Sequence, residues 1–315
     1  RTHMKILGWA LVSVLSVVVF VAVIGAGVLL ALPGVGELRE CLTTTMFAVR
    51  LCPGSSHYAK LSEISPMVGH AVVSSEDAAF YSHQGFDWYE IKQSVKQDLS
   101  TGKLRRGGST MTQQLAKNIW LTKEKSFFRK FKEAYLTYQL ERKYTKDFLL
   151  EKYLNVVQFG PQIYGVKDAA GYYFKKSPSQ LHLLEATYLA FLLPNPGAYS
   201  KNFTKGQLTP FARKIISIIL KRLVQFKKIT PATYHFAVNQ ISTFPWSHLA
   251  QSDFNNATGA GPEVIPEEGD ELNKLWNEDA EPPEDEVEVA PPKPRGQEPA
   301  PVAEDAETPD ESYEE

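Results

Sequence analysis

The sequence predicts a mainly α-helical domain, preceded by one transmembrane helix and followed by a disordered acidic tail. Apolar residues recur at three- and four-residue intervals through the middle of the 315-residue chain, whereas strand patterns are sparse. Residues 6–32 carry no charged side chain and exceed the roughly 20 apolar residues that cross a bilayer. From residue 253 onward the chain is rich in Pro, Glu, Asp and Ala, a composition that buries too little apolar surface to fold.

The apolar segment at the amino end is predicted to be a membrane anchor. The alternative is a cleaved signal peptide, but its apolar core is typically only about 7–15 residues long. Arg39 and Arg50 follow the segment closely, so the flanking charges give only a slight orientation bias. The connector at residues 33–57 contains Cys41 and Cys52, which suit either a disulfide in an oxidising compartment or two free thiols.

Charge is divided unequally along the chain, and the net value of −2 conceals this. The tail, residues 253–315, holds 21 acidic and 3 basic residues, whereas the first 252 residues hold 31 basic and 15 acidic ones. A body with a charge near +16 favours phosphates, nucleic acid or an acidic membrane surface as partners. No helix-turn-helix, RNA-recognition or zinc-finger pattern occurs, so nucleic acid is not expected.

The globular stretch, residues 58–246, contains five segments with the apolar spacing of helices. The later segments are separated by prolines, which predict element boundaries: Pro178, Pro194, Pro196 and Pro210. The five predicted helical segments are residues 61–80, 125–144, 145–157, 179–193 and 211–226.

Acids follow the first of these helices, which is predicted to end near Val73. Glu76 and Asp77 lead through Phe80 and His83 to a glycine turn. An acid at a helix end beside a cleft can act as a general base. Alone this signal is weak, because acids at helix ends are more often caps or solvated charges.

A glycine pair, Gly107 and Gly108, opens the second motif, in which hydroxyl and amide side chains lead into a helix. Such a segment offers backbone N–H groups, hydroxyls and cations to a phosphate. It lacks the GxxxxGK[ST] pattern of a Walker P-loop, and an ordinary polar turn with a Ser or Thr cap is the alternative interpretation.

A basic cluster forms the third motif, in which Lys125, Arg129, Lys130 and Glu133 are predicted to share one helix. Arg129 and Glu133 have the spacing of an i,i+4 ion pair, which in its ordinary form is a solvated surface contact.

Small and apolar residues dominate the fourth motif, residues 146–170, which is interpreted mostly as close helix packing. Within it, Glu151 and Asn155 are candidate buried polar braces.

Taken in this order, the segments resemble the family of peptidoglycan glycosyltransferases, found alone or at the front of bifunctional penicillin-binding proteins. The resemblance covers residues 61–199. Its motifs are EDxxFxxHxGxD, GGSTxTQQLxKN, RKxxEAxxxxxLE, LExYLNxxxFG and SxxxLxxxEAxxLAxLLPxP. Two positions depart from the family pattern: Lys125, where arginine is more common, and Gln158, where glutamate is common. The first change removes a planar fork suited to phosphate.

The resemblance implies a lysozyme-like α lobe plus a small lobe that dips into the membrane. It casts Glu76 as the catalytic base and Glu133 as a second acid that positions the donor diphosphate or its metal ion. Residues implied to line the diphosphate and sugar sites are Ser109, Gln113, Gln114, Lys117, Lys125, Arg129 and Lys130. Motif residues implied to support the site are Asp77, Phe80, His83, Gly107, Gly108, Thr112, Asn118 and Asn155.

The implied reaction joins lipid II units into a β-1,4-linked glycan, with inversion at the MurNAc anomeric carbon and release of undecaprenyl diphosphate. Mg²⁺ or Mn²⁺ is the implied cofactor, with Glu133 as a candidate ligand. Lipid II, the lipid-linked glycan chain and the membrane are the implied partners, and cell-division and penicillin-binding proteins are candidate ones. The expected location is the cytoplasmic membrane, with a single span and the catalytic domain outside the cytoplasm.

Two other functions compete with this one. A lysozyme-like glycan-cleaving enzyme would also use a lone glutamate, but it has no need of a cationic cradle for a diphosphate. A non-catalytic cell-wall scaffold would not require both Glu76 and Glu133. A transpeptidase is excluded, because the sole Ser-x-x-Lys, from Ser100 to Lys103, lies between two glycosyltransferase motifs and no KTG follows.

Overall fold

The structure is a computed structural model that describes residues 9, 12–20, 23, 25, 27, 34–101 and 108–257. This part of the chain is mainly helical, as predicted. The helices are α1 (Pro66–Glu76), α2 (Trp88–Thr101), α3 (Met111–Trp120), α4 (Phe127–Lys143), α5 (Lys146–Val156), α6 (Val166–Ala169), α7 (Leu183–Leu192), α8 (Pro196–Tyr199), α9 (Lys201–Thr204), α10 (Pro210–Gln225), α11 (Pro231–Gln240) and α12 (Gln251–Asn255).

Side-chain caps determine where several helices begin. Thr110, Ser126, Thr145 and Thr209 each accept a hydrogen bond from the backbone N–H three residues later. Each cap satisfies one of the donors that a helix start leaves without a partner. In α1, Pro66 occupies the first helical turn.

Two short antiparallel hairpins complete the secondary structure. The first pairs β1 (Leu42–Thr43) with β2 (Arg50–Leu51), and the second pairs β3 (Gln158–Gly160) with β4 (Ile163–Tyr164). Cys41 and Cys52 form a disulfide beside the first hairpin, which settles the choice that the sequence left open.

The segment 34–57, predicted as a connector, is instead part of the folded domain. Val35, Leu38 and Leu51 are buried in the core. The backbone N–H groups of residues 45 and 46 donate to the carbonyls of Ile119 and Asn118 at the end of α3. These bonds satisfy carbonyl acceptors that the end of α3 leaves unpaired, and they attach the hairpin to that helix. Because they involve only the backbone, the spacing of apolar side chains in the sequence does not predict them.

The centre of the core is the pair α1 and α7, with α10 packed against both. Every residue of α7 is buried, so its apolar pattern is continuous and not one-sided. α3 packs against α4 and α5 on the other side of the domain. The carboxyl end of α1, the start of α3 and the first turns of α4 therefore lie around one region.

The folded domain also extends past residue 246, where the sequence predicts its end. α12 lies within residues 251–255, and the Phe254 side chain is fully buried. Its ring stacks on His182 and meets Phe236 edge to face. One buried aromatic ring thus fixes the start of the segment predicted as tail, whereas residues 258–315 lie outside the described part.

The predicted transmembrane segment, residues 6–32, falls mostly outside the described residues. Positions 9, 12–20, 23, 25 and 27 are helical, and large apolar side chains among them are exposed. Across the described ranges, no helix is both long enough and apolar enough to cross a bilayer.

Candidate active site

Glu76 is the last residue of α1 and is partly buried. Gln114 Nε2 donates to Glu76 Oε2 at 3.1 Å. Burial raises the pKa of Glu76 from its usual 4.5 to about 7; the Gln114 bond opposes this rise, Asp77 adds to it, and the Lys117 cation opposes it. A carboxyl group with this pKa is suited to accept a proton near neutral pH.

Asp77 directly follows α1 as its carboxyl-terminal cap residue and connects the helix to the start of α3. Its carboxylate accepts from His83 Nε2 at 2.9 Å and from the backbone N–H of Met111 at 2.9 Å. His83 Nδ1 accepts from the Gly85 N–H at 3.0 Å, so the ring proton lies on Nε2, facing Asp77. The three bonds hold the turn after Glu76 in one conformation. Phe80 is buried behind this turn, edge to face with His83.

Residues 108–110 of the GGST motif lead directly into α3. Gly108 has a φ of +85°, a conformation that side chains disfavour, and Thr110 follows as the helix cap. The hydroxyl of Thr110 also donates to the carbonyl of Gly85 at 2.8 Å. Gln113 is buried and its side chain accepts from the Thr110 N–H, so it serves as the other half of a capping box. Its predicted contact with substrate therefore stays a prediction.

Glu133, in the second turn of α4, is buried with 2% of its surface exposed. Arg129 Nη1 donates to its Oε2 at 2.9 Å, and Lys130 Nζ binds its Oε1. Lys130 also donates to the Ser109 hydroxyl at 3.3 Å, which links α4 to the GGST motif. Because Glu133 is buried, its ion pair with Arg129 is not the solvated surface contact that was the alternative interpretation of the sequence.

Arg129 has a further donor available. Its Nε is buried and has no hydrogen-bond partner within the described residues. Buried donors in folded proteins nearly always have an acceptor, so this N–H is suited to a bound anionic oxygen.

Lys117, on α3, interacts electrostatically with both acids. Burial lowers its pKa; the charge of Glu133 opposes this effect, Arg129 and Lys130 add to it, and Glu76 opposes it. One lysine on α3 therefore interacts with the acid that ends α1 and with the cluster on α4. This coupling brings the four predicted residues Glu76, Lys117, Arg129 and Glu133 into one site.

Lys125 does not belong to α4, contrary to the sequence prediction. Ser126 caps the helix by accepting from the Arg129 N–H at 3.1 Å, so the helix begins at Phe127. Lys125 is exposed in the preceding loop, and its contact with a phosphate remains a prediction. Gly107 lies outside the described residues.

Other motif residues make contacts within the domain. Asn155 is buried and exchanges two hydrogen bonds with the backbone of Ala59, each 2.8 Å long, as expected of a buried brace. Glu151 accepts from the Leu61 N–H but is only half-buried. Thr112 donates to Glu141. Asn118 is buried at the end of α3.

Two residues near the site were not predicted. The hydroxyl of Tyr153 donates to Gln114 Oε1 at 3.1 Å, behind the bond to Glu76. Glu141 joins Thr112 to Lys146. Both residues lie within the motifs, but their apolar neighbours in the sequence indicated only helix packing. The hydrogen bond from Tyr153 joins residues that are 39 positions apart, and no local sequence pattern predicts such a contact.

The cluster fits a metal ion poorly. Both oxygens of Glu133 already bind cationic side chains. The described ranges contain no group of three or more His, Cys, Asp or Glu residues that could hold a metal. The geometry therefore favours side-chain cations over a metal ion at Glu133.

Together the groups can remove a proton and stabilise a departing anion. Among the described residues, Oε1 of Glu76 has no hydrogen-bond partner and is available to an incoming hydroxyl. Lys117, Arg129 and Lys130 supply positive charge beside this acid, and a leaving diphosphate would develop negative charge that they could stabilise.

Comparison with known proteins agrees with this geometry. Biosynthetic peptidoglycan transglycosylases of Acinetobacter baylyi and Alcanivorax borkumensis are 43% and 47% identical to the chain over 150 and 137 residues. These alignments cover 48% and 44% of this chain, and 67% and 56% of the relatives. A relative of the same description from Aromatoleum aromaticum is 43% identical over 154 residues, 49% of this chain and 66% of its own length. The model of the family described as Transglycosylase matches residues 46–224, more than half of the chain, so the chain belongs to the transglycosylase family.

Proposed function

We propose that this chain is a peptidoglycan glycosyltransferase that polymerises lipid II into β-1,4-linked glycan. The observation that carries the proposal is the arrangement of two acids around Lys117. Burial raises the pKa of Glu76 to about 7, and its Oε1 has no hydrogen-bond partner among the described residues, while Glu133 binds two cationic side chains. Membership of the family and the names of its relatives support the same activity.

In the reaction, Glu76 removes the proton from the 4-hydroxyl of the acceptor sugar as that oxygen attacks the anomeric carbon of the donor. The bond from this carbon to the diphosphate breaks, and the configuration inverts from α to β. Lys117, Arg129 and Lys130 stabilise the negative charge on the departing diphosphate, since preformed cations act strongly in a site with little water. The unpaired Nε of Arg129 donates to one of its oxygens.

The cation cluster argues against the two rival functions. A hydrolase acting on neutral glycan develops no diphosphate charge, so a cluster of three cations near the base would have no role. A scaffold would not maintain a partly buried carboxyl group whose pKa is raised to about 7, because keeping it ionised at neutral pH disfavours the folded state.

The proposal includes a location beside a membrane. Lipid II is a membrane lipid, and residues 6–32 have the composition of a single span. Trp88 and Phe127 are 73% and 98% exposed. Exposed aromatic residues on α2 and α4 suit a small lobe that enters the headgroup region, beside a lysozyme-like lobe.

The test is to incubate the detergent-solubilised full chain with lipid II and separate the products by length. Glycan polymer that is absent with Glu76→Gln supports the proposal. Shortening of preformed glycan strands with no polymer made would support the hydrolase, and no change to either substrate would support the scaffold. Repeating the assay with a chelator, and then with added Mg²⁺ or Mn²⁺, tests whether a divalent ion takes part.

A further inference from the structure

We propose that Tyr153 is a positioning residue that orients the Glu76 carboxylate through Gln114. The inference deepens the proposed function and rests on Glu76 being its base. Tyr153 lies on α5, Gln114 on α3 and Glu76 at the end of α1. The three side chains therefore connect three separate helices at the point where the proposed chemistry occurs.

The chemistry of the three side chains determines which of them donates and which accepts in each hydrogen bond. An ionised carboxylate only accepts hydrogen bonds, so the amide nitrogen of Gln114 must face Glu76. Its carbonyl oxygen then faces Tyr153, whose hydroxyl must donate. Both bonds are 3.1 Å long. Tyr153 is 1% exposed, and burial raises its pKa well above the usual range, so its hydroxyl remains a donor.

Gln114 needs such a partner because an amide side chain can rotate by half a turn at little steric cost. If it rotated, its carbonyl oxygen would face the Glu76 carboxylate and repel it. The Tyr153 hydroxyl stabilises one orientation, and the carbonyl of Gln114 would be left without its donor in the other. Oε2 of Glu76 is then held, and Oε1 stays directed to the acceptor hydroxyl.

Other charged groups around Glu76 affect its pKa through space and not through the hydrogen bonds that join it to Gln114 and Tyr153. Asp77 follows it on the chain and is bound to His83, and Lys117 faces it from α3. From α10, Arg222 donates to the carbonyl of Ser74 in the last turn of α1. These groups remain in place when the Tyr153 hydroxyl is removed, so a change in the pKa of Glu76 would report the relay.

The test uses the full chain in detergent with ¹³C-labelled glutamate carboxyl groups, titrated by NMR. The Glu76 signal is identified by its absence in Glu76→Gln. Tyr153→Phe should raise the pKa of Glu76 by roughly half a unit to one unit, because the amide bond favours the ionised form. The matched control is Tyr173→Phe, which removes a buried hydroxyl that donates to the carbonyl of Phe159. It should leave the pKa of Glu76 unchanged.

A double-mutant cycle separates the relay from a direct effect. In a Gln114→Met background, adding Tyr153→Phe should change the pKa of Glu76 no further, since the connection is already lost. An unchanged pKa in Tyr153→Phe, or an equal change with and without Gln114, would overturn the proposal. If Tyr153→Phe fails to fold, Gln114→Met alone must still raise the pKa of Glu76, or the relay is wrong.

Polymerisation of lipid II gives the second readout. Tyr153→Phe should lower kcat several-fold, leave KM nearly unchanged and move the acid limb of the pH profile upward by the same amount as the pKa of Glu76. Because the NMR titration needs no substrate, a changed pKa in a chain that makes no polymer would preserve the relay and reject the proposed function. A lower kcat with an unmoved acid limb would reject the relay alone.

Discussion

Two acids in the candidate site have opposite environments. Glu76, at the end of α1, receives one hydrogen bond from a neutral amide, and burial raises its pKa to about 7. Glu133, in α4, is buried between Arg129 and Lys130, which bind both of its oxygens. The same residue type is thus kept ready to take a proton in one place and held as a paired anion in the other.

The difference indicates how a helical domain divides labour between acids. The end of a helix leaves a side chain free to face a cleft, and tertiary packing removes its water. Residues three and four apart are neighbours on a helix surface, so Glu133 meets both Lys130 and Arg129 in a pre-arranged cluster. Desolvation produces a base in the first region, and local spacing produces a cation holder in the second.

Replacing Glu76 with glutamine should have the largest effect on activity. The substitution keeps the size of the side chain and removes the proton acceptor, and general base catalysis contributes roughly 10²- to 10⁴-fold. Polymer formation from lipid II should nearly vanish while circular dichroism stays unchanged. Glu124→Gln, at an exposed loop position, is the matched control. Substantial activity in Glu76→Gln would show that another acid is the base and that the contrast drawn between Glu76 and Glu133 is wrong.

Replacing Glu133 with glutamine should cause a smaller loss of a different kind. Arg129 and Lys130 lose the anion that orients them, and charge-assisted contacts are worth about 1.5–3 kcal/mol, which corresponds to roughly 10- to 100-fold in kcat/KM. The acid limb of the pH profile should stay near pH 7, where Glu76 places it. A limb that disappears in Glu133→Gln would contradict this assignment and make Glu133 the base.

Lys117→Met should change both donor binding and the pKa of Glu76, because Lys117 interacts with both acids. Removing the cation weakens donor binding, with roughly a 10-fold loss in kcat/KM expected from one charge-assisted contact. Lys117 also favours the ionised form of Glu76, so its removal should raise the pKa of that group and move the acid limb to higher pH. Exposed Lys205→Met serves as control. An unmoved limb would show that Lys117 serves the donor site only.

The smallest expected difference between the Glu76 and Glu133 variants is in their thermal stability. Glu76 binds a proton more tightly in the folded state than in the unfolded state, so wild-type stability falls as pH rises from 4.5 to about 7. Glu76→Gln avoids this loss and should be more stable than wild type above pH 7, by on the order of 1–3 kcal/mol, and equal to it below pH 4.5. Glu133→Gln should show no such gain. Unfolding curves measured between pH 4 and 8 provide the check.

Local sequence patterns determined much of the fold. Apolar spacing of three and four residues located α4, α5, α7 and α10, since a helix must bury one face. It missed α11, where the apolar pattern is weak, and it treated residues 34–57 as a connector. That segment is held by a disulfide and by backbone bonds to α3, neither of which leaves a periodic pattern. Phe254 likewise belongs to the core only because His182 and Phe236 lie against it.

The sequence by itself also determined which residues could carry the chemistry: the Glu76 motif, the GGST segment and the Arg129 to Glu133 cluster. The cluster could be read directly, because i,i+4 neighbours on a helix meet whatever surrounds them. Only the tertiary structure decided that Glu76 is desolvated, that Gln113 caps a helix while Gln114 reaches the acid, and that Tyr153 lies behind it. These contacts join α1, α3 and α5, and the burial that raises a pKa depends on what packs around the group and not on its neighbours in the chain.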